Sequence, residues 1–424
     1  MIQLGKIKKI VLGNKTLFSN LSYLSILQVF SILIPLITYP YLIRVLGAEK
    51  YGLVVFAQAV VAYFLILVSF GFNLSATKLV SVHRDNKEKI NEIFCSVVII
   101  KACLFIFSMI ALGLILYFIP QARNEYLLFY LSAYVCIYDV FFPIWYFQGK
   151  ENMRFTALTN ITVRLIFVAL IFVFVKSKSD YLYVPIINGI GSMLAILISF
   201  YVLFVKDKIV LYIPNFKIIK YYFLDSIPFF ISNVSIQLYV NTNKVIVGTF
   251  LGMTDVAYYD LAEKILNILK MPITIIGQVV YPKVSREKNL LFIKRVFNNS
   301  VALNLAIVVF IFLLAKIPVL LLGGVHMLDA VNVLRILVFT VPIIAMSNIY
   351  GIQLLIPFGY QKAFTRIIVE SGIVYIFLFL LLLFLKFVNL YSVAAITVLT
   401  EVYVTTSMYL ICKKKNILWK STTI

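Results

Sequence analysis

Twelve stretches of apolar residues, each long enough to cross a bilayer, fill this chain almost without interruption. A helix needs about 20 apolar residues to span the hydrocarbon core. The sequence supplies such runs at roughly 20–46, 53–77, 93–119, 126–147, 157–175 and 182–205. A second set follows at roughly 224–251, 257–280, 296–316, 331–357, 365–386 and 391–412. Hydrophobic residues make up 62% of the chain and charged residues 13%. A soluble fold with that balance would have too little polar surface to face water. The runs are unbroken rather than alternating, which excludes a β-barrel. The pattern predicts an all-α integral membrane protein with 12 transmembrane helices.

Basic residues set the expected orientation, because cytoplasmic loops accumulate Lys and Arg. One side collects twenty-five cations. They begin with Lys6, Lys8, Lys9 and Lys15 and include the loops around Arg84, Lys150, Lys217, Arg286 and Arg366. They end with Lys413, Lys414, Lys415 and Lys420. The other side has six: Lys50, Arg123, Lys176, Lys178, Lys316 and Lys386. Both termini are therefore expected in the cytoplasm. The net charge of +21 follows from this asymmetry and from attraction to anionic head groups, not from nucleic acid binding. The N-terminal basic stretch precedes a long apolar run without a small-residue cleavage site, which reads as an uncleaved first helix. Cys95, Cys103, Cys136 and Cys412 have neither disulfide nor metal-site spacing. His83 and His326 read as solvated loop residues.

The two halves of the chain resemble each other. LGAEKYGLVVFAQA (46–59) aligns with LGMTDVAYYDLAEK (251–264) at an offset of 205, pairing Leu46–Gly47 with Leu251–Gly252. FQGKENMRFT and PFGYQKAFT recur after the fourth and tenth spans. Six spans separate the copies, so the halves share one orientation, as in parallel-repeat transporters. The expected organisation is an N-lobe at 1–205, a cytoplasmic interlobe loop at 206–222 and a C-lobe at 223–424, around a central cavity.

Charged residues inside the spans mark candidate sites, since each costs about 2.5–3.5 kcal/mol at the bilayer centre unless a cavity or partner compensates. The cations are Arg44, Lys101, Arg164, Lys244, Lys264, Lys270 and Arg335; the anions are Asp139, Asp260, Glu263, Glu370 and Glu401. Arg44, Lys264 and Arg335 lie near helix ends, where they can snorkel. Asp260, Glu263, Lys264, Asn267, Lys270, Thr274 and Gln278 form a polar stripe on the eighth span, at spacings of three and four. Ser226, Asn233, Gln237, Asn241 and Lys244 do so on the seventh, and Ser25, Gln28, Pro35 and Thr38 more weakly on the first. Stripes this long favour a water-filled cavity over interhelical packing.

The cavity is expected to carry a cationic excess. Lys101, Arg164 and Lys270 would attract a phosphate group, with Lys270 the foremost of them. Lys244, Asn267, Gln237, Asn241 and Gln28 complete the substrate-binding set. Asp139, Glu263, Asp260 and Glu401 are candidates for ion coupling. Aromatic residues of the fourth span (Tyr130, Tyr134, Tyr138, Phe141, Phe142, Trp145 and Tyr146) suit sugar rings or core packing. Pro35, Pro40, Pro228 and Pro272 are expected bending points. No Walker A sequence and no extramembrane domain for glycosyl transfer are present, so no enzyme, cofactor or metal is expected.

Three segments carry a family resemblance: PLITYPYLIRVLGAEKYGLVVFAQA (35–59), PIWYFQGKENM (143–153) and NTNKVIVGTFLG (241–252). They resemble bacterial polysaccharide repeat-unit flippases of the Wzx type, in the multidrug/oligosaccharidyl-lipid/polysaccharide exporter superfamily. The resemblance implies two six-helix lobes in a V and a place in the bacterial inner membrane. It implies transfer of an undecaprenyl-diphosphate-linked oligosaccharide from the cytoplasmic to the outer leaflet by alternating access. Membrane lipids and the polymerase and chain-length proteins of the pathway would be further partners. Many relatives have an acidic residue before the lysine corresponding to Lys244. Here it is Asn243, which leaves Lys244 expected as a lone cation. The alternatives are a drug–cation antiporter of the same superfamily, a fourteen-helix lipid II flippase and, in a different class, a membrane polysaccharide polymerase.

Overall fold

The computed structural model describes residues 15–118 and 123–418, and every regular element among them is helical. Nine of their helical stretches are long and apolar enough to cross a membrane. One of these, Leu33–Val82, runs for 50 residues and contains the expected span at 53–77 with the last part of the one at 20–46.

Helix α1 (Lys15–Ser69) is interrupted at Gly47, whose φ of 75° and ψ of 167° are non-helical. Then come α2 (Phe72–Val82), α3 (Lys87–Phe118), α4 (Tyr126–Ser132), α5 (Tyr134–Phe141), α6 (Ile144–Gly149), α7 (Met153–Phe174) and α8 (Tyr183–Phe200). The second half comprises α9 (Phe216–Phe250), α10 (Met253–Leu269), α11 (Met271–Glu287), α12 (Leu290–Leu314) and α13 (Lys316–Gly323). It ends with α14 (Ala330–Leu337), α15 (Thr340–Asn348), α16 (Gln361–Phe384) and α17 (Leu390–Lys414).

Two expectations about continuity change. The eighth span is two helices, α10 and α11, meeting at Lys270. Pro272 sits in the first turn of α11, where its missing N–H costs nothing and its ring stops α10 from continuing. The polar stripe therefore divides: Asp260, Glu263, Lys264 and Asn267 on α10, Thr274 and Gln278 on α11. The fourth span breaks into α4, α5 and α6, with Pro143 capping the last. Pro35, Pro40 and Pro228 lie within helices that continue past them.

Local backbone geometry recurs at both repeat signatures. Gly47 and Gly252 each take positive φ with extended ψ between helical segments, a conformation that glycine adopts without a Cβ penalty. At 146–152, Lys150 N bonds Tyr146 O, Glu151 N bonds Gln148 O, and Asn152 N bonds Phe147 O. At 354–360 the same three bonds join Phe358 to Leu354, Gly359 to Ile356 and Tyr360 to Leu355. Glu151 and Gly359 both have positive φ.

Contacts divide the chain into two compact units: Met1–Leu46 with Ala57–Asn233, and Gly47–Phe56 with Val234–Ile424. In the first, Phe72, Phe94, Trp145, Tyr146, Phe147 and Tyr222 form the main core. Gly149 lets α6 approach α2 so closely that a Cβ would lie 2.6 Å from Val80. The segment after α8 is docked on α3 and α6: Tyr212 N donates to Cys95 Sγ of α3, and the Tyr146 hydroxyl of α6 donates to Asp207 at 2.8 Å. In the second unit, Ile349, Leu354, Ile367, Val404 and Met408 are central to the core.

Candidate functional site

In the second unit, α9 and α10 bring charges together that are far apart on a helical-wheel reading. Lys244 of α9 lies 3.1 Å from Asp260 and 2.8 Å from Glu263. Asp260 is almost fully buried and also binds Lys264 one turn along α10. The Tyr51 hydroxyl donates to Asp260 at 2.9 Å and accepts from Lys264 at 2.9 Å. Both ammonium groups are half-buried, and each has a carboxylate partner to offset the lost hydration. The lone-cation expectation for Lys244 is corrected: its acids come from the next helix, not from position 243. Asn243 instead accepts a 2.6 Å hydrogen bond from Tyr375.

Beside this cluster is a cavity of about 370 Å³, lined by Asn243, Tyr259, Glu263, Asn267, Lys270, Ser347, Asn348, Thr397 and Glu401 among others. Lys270 stands at the α10–α11 joint and Glu401 on α17. Lys270 forms no direct ion pair among the described residues. The break at Pro272 holds it there, with the Lys270 carbonyl accepting from Ile273 N at 3.1 Å. The interrupted helix thus presents an ammonium, a carboxylate and several amides and hydroxyls to one cavity. The expected cationic excess is absent from this unit's cluster: Lys244, Lys264 and Lys270 face Asp260, Glu263 and Glu401.

The other expected residues are distributed as follows. Gln237 and Asn241 bond one another at 2.9 Å, one turn apart on α9. The side chains of Gln28 and Gln278 lie outside the described residues. In the first unit, Lys101 of α3 is fully buried and paired with Asp139 of α5 at 2.8 Å; it also donates to the Asp139 carbonyl at 2.6 Å. That carbonyl is at the end of α5, where backbone acceptors lack helical partners. Lys101 thus satisfies a helix break rather than facing a cavity. Arg164 of α7 is half-buried beside the Tyr134 and Tyr138 side chains and forms no ion pair among the described residues. The Tyr138 hydroxyl donates to Asn160 at 3.1 Å. Phe142, Trp145 and Tyr146 are core residues, whereas Tyr130 and Phe141 are exposed. Sequence reasoning missed Tyr51, Tyr259, Asn348 and Thr397; nothing in helical spacing distinguishes them from ordinary packing residues.

The polysaccharide biosynthesis protein family matches residues 17–288. A protein of Escherichia coli K12 named "Putative O-antigen transporter" is 31% identical over 408 residues, spanning 94% of this chain and 96% of that protein. A Shigella dysenteriae protein of the same name is 25% identical over 364 residues, 84% of this chain and 90% of its own length. Among solved structures, the lipid II flippase MurJ in an inward closed conformation aligns with a TM-score of 0.74 at 14% identity. That alignment covers 93% of this chain and 88% of MurJ. An inward-facing multidrug resistance MATE family transporter of the MOP superfamily aligns at 0.71 and 16%, covering 92% and 96%. These two likenesses concern the fold. The family match and the E. coli relative, which spans nearly the whole of both chains, place the sequence: it belongs to the polysaccharide biosynthesis protein family.

Proposed function

We propose that this chain flips undecaprenyl-diphosphate-linked oligosaccharides from the cytoplasmic to the outer leaflet of the bacterial inner membrane by alternating access. The observation that carries the reading is the polar cavity among membrane helices, with Lys270 forming no direct ion pair among the described residues. An ammonium at that depth is costly unless it meets an anion during the working cycle. The names of the E. coli and Shigella relatives point to O-antigen units as the cargo class. Lys270 is the cation that the second unit offers the diphosphate, and Arg164 is a candidate in the first. Asn267 and the amides and hydroxyls around Lys270 suit sugar hydroxyls. Lys101 and Lys244 act as positioning residues through their ion pairs. Both termini lie in the cytoplasm, and twelve spans make up two parallel-repeat lobes.

One observation favours a second reading. The balanced charges of the second unit would serve a cation antiporter, with Glu401 as acceptor. The same experiment separates the two. In cells that make surface polysaccharide and encode this chain, Lys270→Ala abolishes export and Lys270→Arg retains part of it. Lipid-linked repeat units then accumulate at the inner leaflet. Normal export by Lys270→Ala at native expression removes Lys270 from the mechanism. Unaltered polysaccharide after deletion of the chain, with loss of drug resistance instead, establishes the antiporter.

A further inference from the structure

A second built feature lies outside the cavity around Lys270, at the end of the second unit where α16 begins and α17 ends. Lys362, Ala363, Arg366, Ile367 and Glu370 of α16 and Ser407, Leu410 and Ile411 of α17 enclose a groove of about 560 Å³. Its polar end is cationic. Arg366 is held by Glu370 at 2.7 Å, and the second oxygen of Glu370 accepts from the Tyr403 hydroxyl at 3.1 Å. The one carboxylate in the groove is thus committed to orienting the guanidinium. Lys362 forms no ion pair among the described residues. Lys414 follows Leu410 by four residues and Ser407 by seven, which adds a third cation to the same helical face.

Toward the bilayer interior the groove becomes apolar along two rows, one per helix. Positions 366, 370, 373 and 377 share a face of α16, and 410, 407, 403 and 399 share a face of α17. Ile373 and Phe377 on one, and Leu410 and Leu399 on the other, are exposed. A cationic head with two exposed apolar rows matches an anionic headgroup that carries two chains. Basic pockets between membrane helices at the cytoplasmic side bind such head groups, and the cation asymmetry puts this end at the cytoplasmic side.

We infer that the α16–α17 groove binds an anionic diacyl phospholipid, with its phosphate between Lys362 and Arg366 and one acyl chain along each helix. The site is independent of the flippase reading.

The test is native mass spectrometry of the purified full chain in neutral detergent. It is titrated with phosphatidylglycerol, with phosphatidylcholine of the same chains, with geranylgeranyl diphosphate and with inorganic phosphate. Phosphatidylglycerol is expected to bind in preference to the other three. Each cation contributes about fivefold, or about 1 kcal/mol. Lys362→Gln, which breaks no ion pair among the described residues, therefore weakens phosphatidylglycerol about fivefold, and Lys362→Gln with Arg366→Gln weakens it about 25-fold. Lys178→Gln, a cation of the first unit, leaves it unchanged. An unchanged affinity in Lys362→Gln overturns the site. Equal binding of phosphatidylcholine overturns the charge selection. Stronger binding of geranylgeranyl diphosphate, or of phosphate alone, overturns the diacyl assignment.

Discussion

The Tyr51 hydroxyl donates a 2.9 Å hydrogen bond to Asp260, a residue 209 positions later in the chain. The same hydroxyl accepts from Lys264, so one phenol serves both members of a buried ion pair. Removing it leaves a buried carboxylate with one donor fewer. Hydrogen bonds to charged groups are worth about 1.5–3 kcal/mol, and Tyr51→Phe should lose about that much. Asp260→Ala should cost more, about 3–5 kcal/mol, because Lys244 and Lys264 are left with Glu263 alone. Thermal unfolding of the purified protein in detergent checks the order; equal midpoints for Tyr51→Phe and the unaltered chain would refute the bridging role.

Lys101 and Asp139 should behave as a pair. Breaking a buried ion pair costs about 3–5 kcal/mol, while replacing both partners by apolar residues is close to neutral. Lys101→Met should therefore lower folded yield sharply, and Lys101→Met with Asp139→Leu should recover most but not all of it, because the Asp139 carbonyl still lacks the Lys101 donor. The informative readout is export by the double variant. If folded yield returns and export does not, Lys101 has a role beyond holding α3 to α5.

Gly52 offers a steric test. A Cβ built there would lie 1.7 Å from the backbone oxygen of Met253, which is not the end of a flexible side chain and cannot swing away. Gly52→Ala should destabilise by about 1–3 kcal/mol, the usual cost of overpacking. Gly189 is the control, since its nearest neighbour would be 3.6 Å from the new Cβ. Gly189→Ala should be neutral or stabilising through the reduced entropy of the unfolded chain. A similar melting temperature for the two variants would contradict the close approach at Gly52.

Orientation is checked by labelling. Cysteine placed at 286 should resist an impermeant thiol reagent in intact cells, and cysteine at 123 or 178 should react. The cation asymmetry sets this expectation. Reaction at 286 from outside reverses the topology.

The sequence made the helical elements legible because lipid demands apolar length and allows few alternatives. Both repeat signatures were also readable, since Gly47 and Gly252 occupy a backbone conformation that constrains residue type. What periodicity does not encode is the partner across a helix pair. Lys244 looked solitary because position 243 is Asn, yet its acids sit sixteen and nineteen residues further on, at Asp260 and Glu263. Likewise, a stripe at spacings of three and four gives no warning that Pro272 splits it, or that Lys270 falls on the split. The fourth-span aromatics were ambiguous for a different reason. Burial depends on neighbours that a single helix does not specify, and Trp145 proved fully buried where Tyr130 did not.

The ion pairs between α9 and α10 also bear on how the protein is made. Asp260 has Lys264 on its own helix, but Lys244 without α10, or Glu263 without α9, would enter lipid without its ion-pair partner during translocon release. Only seven residues separate Lys244 from Gly252, between the end of α9 and the start of α10. The two helices can therefore leave the translocon as a neutralised hairpin, with each helix acting as the other's insertion partner. Biogenesis of the second half thus begins with electrostatic recognition between nascent neighbours, before any of the later apolar helices are synthesised.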